Sequence, residues 1–261
     1  MVVSNISASG SPDFGKNVST NPTSPSYDSG EDATRLLMGF GSQARSGRWI
    51  YASGFEEGNL SSIVQGVNFG YTGSETLDSV KSYQGAASLK MATQAVINTF
   101  SYFEKSVLPP GSRFGMEMMF CRTLTTPDFQ HEFMISMEYN GNPTLGIQRV
   151  HASIKIIFVN SANVKLYYRN AAFGFTLIQD VSSYFTNIAF NWHYIKFVID
   201  VRTGKYVRMY FDDLLIDLSS FTPYTAGGIY PQLRFMTSLL TSTVNQQIYN
   251  IDNIVFTADE P

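Results

Sequence analysis

Paired carboxylates on one strand would be the chemistry of a glycoside hydrolase, because that reaction needs two carboxyl groups about 5 to 9.5 Å apart across the substrate. Glu117, however, is followed by Met118 and Met119, and Glu132 and Glu138 stand too far apart on their strand-like stretch. The sequence also lacks a G-x-S-x-G nucleophile motif and a phosphate-binding glycine loop. We therefore expect no enzyme activity, and a hydrolase with an unrecognised acid pair is the alternative.

Histidine and cysteine could supply a metal site or a nucleophile. His131, His151 and His193 fall on different strand-like stretches without the short spacing of metal ligands, and Cys121 adds no further ligand. We expect each histidine to be an ordinary strand residue with its hydrogen bonds satisfied. Because Cys121 is the only cysteine, no intrachain disulfide can form, and its position within RFGMEMMFCR predicts a buried thiol.

Tyrosines and basic residues on the outward phase of several strands are the binding candidates. They are Lys165, Tyr167 and Arg169 on one strand, Tyr194 and Lys196 on the next, and Tyr206, Arg208 and Tyr210 on its hairpin partner. If these strands are neighbours, the side chains form a patch on one sheet that suits a sugar or a protein anchor. The alternative is that cross-strand pairs cover a solvated sheet, each contributing roughly 0.2 to 1 kcal/mol.

A β-hairpin over residues 191–219 must position the last two of these strands. Period-2 alternation predicts that one set of side chains points into a core: Ile195, Phe197, Ile199, Val207, Met209 and Phe211. The turn Arg202-Thr203-Gly204 separates the strands, and Gly204 can adopt the positive φ of a short hairpin loop. Since two strands are not stable alone, the hairpin must belong to a larger antiparallel sheet packed on a second layer.

Strand-like segments continue along the chain from Arg48, and a helical period appears only weakly, over residues 180–186. RFGMEMMFCR and FQHEFMISMEY alternate clearly, and Asn140-Gly141 is a strong hairpin signal. Further segments are LGIQRV, SIKIIFV, NVKLYYR, FTLIQDV, PQLRFMT and QQIYNIDNIVF. About a dozen strands in two stacked antiparallel sheets, an all-β sandwich, is the predicted fold.

Composition excludes several classes of partner. Aromatic residues make up 14% and charged residues 15% of the 261 residues, which favours strands around a large core. The net charge is -3 and the 18 basic residues are scattered, so we expect no nucleic-acid partner. No stretch approaches about 20 apolar residues, so we expect no membrane insertion. MVVSNISASGSP lacks the features of a secretory signal, and we expect none.

The first 47 residues differ from the rest and are predicted to be an extended N-terminal arm, followed by a sandwich domain over residues 48–261. Pro12, Pro22 and Pro25 and the abundant Ser, Gly and Asn exclude a helix or a central strand. Such an arm cannot order itself, so we expect a partner surface to hold it. The candidate assembly anchor is its dense apolar group, Leu36, Leu37, Met38 and Phe40, which we expect to dock either on the same chain's sandwich or on an adjacent subunit.

Four segments together resemble the laminin-G and concanavalin A-like family of jelly-roll domains. They are GFEEGNL, SYQGAASLK, the hairpin from Trp192 to Asp213 and NIDNIVF, and the resemblance does not cover the arm. First and last strands of this type also occur in jelly-roll carbohydrate-binding modules with a galactose-binding-like topology. The resemblance implies two curved antiparallel sheets whose concave face binds glycans or protein in many relatives.

The same resemblance implies that Glu56 and Asp252, on the first and last strands, could be ligands of a structural calcium ion. Ordinary surface carboxylates are the alternative, and no cofactor is otherwise required.

Two functional hypotheses follow. The first is a non-catalytic structural protein of a particle, most simply a bacteriophage virion component such as a capsid decoration, collar or tail protein, anchored to other subunits by its arm and located at the virion surface. The second is a carbohydrate-binding module or lectin that recognises cell-surface or polysaccharide glycans.

Overall fold

A computed structural model describes residues 47–55, 73–107, 111–122, 131–140, 148–160, 163–185, 191–227, 232–241 and 245–261. Within these ranges the chain forms two antiparallel sheets and one short 3-10 turn, η1, at Ser182–Tyr184. The predicted arm, with Leu36, Leu37, Met38 and Phe40, lies outside the described residues, and its division from the rest stays a prediction.

The first sheet contains eight of the described strands, and we call it sheet A. They are β1 (Arg48–Ser53), β2 (Ser74–Asp78), β3 (Ser88–Ala92), β5 (Arg113–Arg122), β10 (Trp192–Asp200), β11 (Lys205–Phe211), β12 (Leu214–Asp217) and β15 (Ile248–Ala258). Their order is β12-β11-β10-β5-β15-β3-β2, and β1 also pairs with β15.

The second sheet, sheet B, contains seven of the described strands. They are β4 (Thr99–Val107), β6 (His131–Asn140), β7 (Gln148–Asn160), β8 (Asn163–Arg169), β9 (Phe175–Asp180), β13 (Tyr224–Gly227) and β14 (Gln232–Thr241). Their order is β4-β14-β6-β7-β8-β9, and β13 pairs with β7. Every pairing in both sheets is antiparallel.

The core lies between the sheets and is rich in aromatic rings. Phe120 of β5 stacks on Phe133 of β6 with ring centroids 4.8 Å apart, and Phe235 of β14 stacks on Phe256 of β15 at 3.9 Å. All four side chains are fully buried. These contacts join sheet A to sheet B, which confirms the predicted two-sheet sandwich.

The central hairpin forms, and three of its predicted features are confirmed. Phe197 and Phe211 are fully buried, and Gly204 has a φ of 61° in the β10–β11 turn. LGIQRV and SIKIIFV do not form two separate strands, because one 13-residue strand, β7, contains the last three residues of the first segment and all of the second. The weak helical signal corresponds only to η1. Among the described residues, none belongs to a helix long and apolar enough to cross a membrane.

Candidate functional site

The predicted patch of tyrosines and basic residues is divided between the two sheets. Tyr167 and Arg169 lie on β8 of sheet B, whereas Tyr194, Lys196, Arg208 and Tyr210 lie on β10 and β11 of sheet A. The condition for a single patch, that these strands are neighbours in one sheet, is therefore not met, because neighbours along the chain need not be neighbours in a sandwich.

Tyr206 is a second correction, because it points into the core instead of outward. Val198 pairs with Arg208 but Ile199 pairs with Tyr206, so Val207 is an extra residue that forms a β-bulge. For the residues of β11 before Arg208, the bulge exchanges the inward and outward positions that strict alternation predicts. Tyr206 is fully buried and Val207, predicted inward, is only half-buried.

The outer face of sheet A carries a network of buried ion pairs. The Nζ of Lys196 lies 2.8 Å from Oε1 of Glu260 and 3.4 Å from Oε2 of Glu117, and Arg208 pairs with the other oxygen of Glu260 at 2.9 Å. The Tyr194 hydroxyl donates to Glu117 at 2.9 Å. Because Lys196, Tyr194, Glu117 and Glu260 are all buried, this network holds the C-terminal segment against the sheet and presents little surface to a ligand.

The described residues provide no support for the predicted calcium site. Asp252 is fully buried, so it is not the surface carboxylate of the alternative interpretation, and its Oδ2 accepts the backbone N–H groups of Tyr83 and Gln84 at 2.8 and 3.1 Å. Glu56 lies outside the described residues. Within the part of the chain that is described, no group of three His, Cys, Asp or Glu residues could hold a metal ion.

The histidine and cysteine predictions are partly confirmed. Nδ1 of His193 lies 2.8 Å from Oδ2 of Asp212, so this ring has the expected partner. Cys121 is buried, and burial raises the pKa of its thiol to about 11. His151 is the exception, since neither of its buried ring nitrogens has a hydrogen-bond partner among the described residues. The side chain of His131 is not among those described.

The outer face of sheet B brings charged side chains from five strands together. Direct cross-strand partners form one row, which is Ser106, Arg234, Glu138, His151 and Tyr224. The adjacent row contains Glu104, Met236, Ser136 and Ser153, with Arg169 beside Ser153 through an Nε to Oγ distance of 3.3 Å. We call this surface the arginine face, after Arg149, Arg169 and Arg234.

Ion pairs fix most of the charges on the arginine face. Arg234 bonds Glu104, with Nε 2.9 Å from Oε1, and lies 3.5 Å from Glu138. Arg149 also pairs with Glu138. These side chains form a continuous chain of alternating charge, which orients the carboxylates and guanidinium groups toward each other across the sheet.

His151 lies within this positive environment and is only 8% exposed. Burial is the main reason that its pKa is lowered to about 4, and the charges of Arg169, Arg149 and Arg234 act in the same direction, against Glu138. The ring is therefore neutral at neutral pH. A neutral imidazole has one donor and one acceptor nitrogen, so His151 can offer both to a bound group.

A short loop between β8 and β9 places an aromatic ring over the arginine face. The side-chain oxygen of Asn170 accepts the N–H groups of Ala172 and Gly174, each at 3.0 Å, and Phe173 takes a φ of 66°. The Phe173 ring, 52% exposed, lies 4.2 Å from the Arg169 guanidinium and 4.7 Å from the Tyr224 ring. A positive φ at a bulky residue is uncommon, and such strain is often associated with functional sites.

Sequence reasoning placed Tyr167 and Arg169 on an outward phase but missed the rest of this face. A signal was present in QRVHASIKI, where Arg149, His151, Ser153 and Lys155 alternate with core residues. Dividing that segment into two strands concealed the alternation. Half-buried Tyr167 pairs with Lys155 on the same side of the sheet, and a binding role for it stays a prediction.

No family model matches the chain, and no curated protein sequence matches it. The resemblance to laminin-G domains is therefore not supported at the level of a family.

Solved structures do match the fold. The cellulose-induced protein Cip1 aligns with a TM-score of 0.52 and 13% identity, over 79% of this chain and 96% of that one. A carbohydrate esterase from Shiga toxin-encoding bacteriophage phi24B aligns with a TM-score of 0.51 and 13% identity, over 81% and 98%. The CBM2 module of the evolved Dit of Lactobacillus casei BL23 phage J-1 aligns with a TM-score of 0.50 and 10% identity, over 82% of this chain and 98% of that one.

These likenesses show a two-sheet antiparallel jelly-roll sandwich. One of the similar proteins is named an esterase and another a CBM2 module, so the fold alone does not decide between catalysis and binding.

Proposed function

We propose that this chain is a non-catalytic carbohydrate-binding jelly roll that engages a glycan on the arginine face. The observation that carries the proposal is the position of Phe173, an exposed aromatic ring held over buried polar groups. Ligand sites in proteins combine apolar or aromatic surface with a few convergent polar groups that fix orientation. Phe173 and Tyr224 supply the aromatic surface, and His151, Arg149 and Arg169 supply the polar groups.

The geometry of the loop supports this assignment. The Phe173 side chain is 52% exposed and does not pack into the hydrophobic core. Its position is nevertheless defined by the loop, because the Asn170 side chain accepts the Gly174 N–H and the Asn170 carbonyl oxygen accepts the Phe173 N–H at 3.0 Å. The loop thereby presents a ring that is already oriented, which lowers the ordering cost of binding a sugar. The names of the phage esterase and the CBM2 module are consistent with carbohydrate chemistry on this fold.

A glycan array with the full chain tests the proposal. We expect binding to at least one polysaccharide class, and we expect Phe173→Ala and Tyr224→Ala to weaken it by about tenfold or more, since aromatic contacts dominate such surfaces. Tyr210→Ala is the matched control, because Tyr210 lies on the outer face of sheet A, and it should bind like the parent. Absence of binding to every glycan, or hydrolysis of a bound polysaccharide, would contradict the proposal.

We further propose that the chain is a structural component of a bacteriophage virion, anchored to other subunits by residues 1–47 and exposing the sandwich at the particle surface. Two of the solved structures of similar fold belong to phage proteins, which favours this location. Leu36, Leu37, Met38 and Phe40 are the proposed anchor.

Deleting residues 1–47 should leave a folded sandwich that no longer joins its assembly. Replacing Leu37 and Phe40 by Ser should weaken assembly while leaving the melting of the isolated sandwich nearly unchanged. Normal incorporation of the truncated chain into particles would refute the anchor.

A further inference from the structure

Arg169 is a buried cation for which the described part of the chain supplies no carboxylate partner. It is 7% exposed, and its Nε and Nη1 donate to Ser153 Oγ and the Phe173 carbonyl oxygen, both at 3.3 Å. Within the described ranges, its Nη2 has only Met134 Sδ, at 4.0 Å, and a thioether is a weak acceptor. Among the described residues, no Asp or Glu lies within ion-pair distance of this guanidinium.

The neighbouring cations differ from Arg169 in this respect. Lys155 pairs with Glu132 at 3.1 Å, Arg234 pairs with Glu104, and Arg149 shares Glu138. Counted over the described side chains of this group, the four cations Lys155, Arg149, Arg169 and Arg234 face three carboxylates, which leaves one positive charge in excess. That charge is located on Arg169.

Buried polar atoms without a hydrogen-bond partner in the described part of the chain lie beside this excess charge. Arg149 Nε and both ring nitrogens of His151 are buried and have no hydrogen-bond partner in the described structure. A buried cation without compensation and a buried polar atom without a partner each carry a free-energy penalty. An anion that accepts hydrogen bonds from the two guanidinium groups and from the single N–H of the His151 ring would reduce both penalties at once.

We propose that the arginine face binds the carboxylate of an acidic sugar, a uronic acid residue, at Arg169, Arg149 and His151. This inference rests on the proposed function and names its ligand class. The guanidinium fork matches the geometry of a carboxylate, and the neutral His151 ring can exchange hydrogen bonds with sugar hydroxyl groups. Phe173 and Tyr224 then contact the apolar surface of the sugar ring.

The test compares oligogalacturonate with its methyl ester, which is the same chain without the charge. We expect the full-length protein to bind the acid at least about tenfold more tightly than the ester, with an affinity that falls as salt is raised. Arg169→Gln should lose this preference, and Arg169→Lys should retain part of it. Arg202→Gln removes an exposed arginine from the β10–β11 turn and should change nothing.

The outcomes separate this inference from the proposed function. Equal binding of acid and ester, or normal acid binding by a folded Arg169→Gln variant, would overturn the carboxylate site while leaving glycan binding intact. If Arg169→Gln does not fold, the preference of the parent protein for the acid over the ester, and its dependence on salt, still decide the point. Binding of neither oligosaccharide, together with an empty glycan array, would refute both.

Discussion

The hydroxyl oxygen of Tyr206 lies 2.9 Å from the backbone nitrogen of Ser153, so a side chain of sheet A completes the hydrogen bonding of sheet B. Strand β7 pairs with β13 up to His151 and with β8 from Ile154, and Ser153 lies between the two pairings. The same hydroxyl lies 3.0 Å from the carbonyl oxygen of Arg169. Tyr206 therefore supports, from inside the core, the backbone that carries the arginine face.

Tyr206→Phe should destabilise the fold although the ring is kept. The Ser153 N–H would lose its acceptor inside the core, and such a loss costs about 1 to 3 kcal/mol. Urea unfolding would measure the change. Tyr210→Phe on the same strand is the control and should stay within about 0.5 kcal/mol of the parent. Equal stability of the two variants would show that water can replace the Tyr206 hydroxyl.

His151 should make stability depend on pH between about 6.5 and 4. The unfolded chain protonates this ring near its ordinary pKa of 6.5, whereas burial and three arginines lower the pKa in the folded state to about 4. The unfolded state therefore binds more protons in this window, and the stabilisation present above 6.5 is lost as the pH falls, by up to about 3 kcal/mol.

A His151→Gln variant isolates this contribution from that of the carboxylates, which are unchanged. The unfolding free energy of the variant, measured by urea titration at several pH values, should fall less steeply from pH 6.5 to 4 than that of the parent. Parallel curves would mean that His151 titrates normally in the folded state.

Lys196→Met should destabilise the outer face of sheet A. Lys196 is fully buried between Glu117 and Glu260, and removing one partner of a buried ion pair costs about 3 to 5 kcal/mol because the remaining charge is uncompensated. Thermal and urea unfolding would measure the change, with Lys165→Met, at a half-buried position of β8, as the control. Adding Glu117→Gln to Lys196→Met should recover part of the loss, because Glu260 keeps Arg208 as a partner, and a further decrease would count against the ion pair.

Phe197→Ala should cost about 3 to 5 kcal/mol, since it opens a cavity in the middle of the core. Phe197 is fully buried and pairs with Met209 on β11 and Met116 on β5. Leu215→Ala, at a 57% exposed position on β12, should cost far less. Calorimetric melting of both variants gives the comparison, and similar melting temperatures would contradict the observed strand register.

Local alternation was sufficient to predict the all-β class, the inward positions of Phe197 and Phe211, and the positive φ of Gly204. These properties depend on residues close in sequence, because the side-chain period of a strand is two and a hairpin turn needs few residues. The buried character of Cys121 followed from the same pattern. For β5, the predicted segment and the observed strand have the same bounds.

Only the tertiary structure decided which strands share a sheet and where the phase of a strand changes. The bulge at Val207 turned Tyr206 inward, and a one-residue shift of this kind exchanges the two faces without altering the composition of the strand. The arginine face likewise depends on contacts between distant residues. Arg234 meets Glu104 across a separation of 130 positions, which the packing of β14 against β4 brings about and which no local pattern encodes.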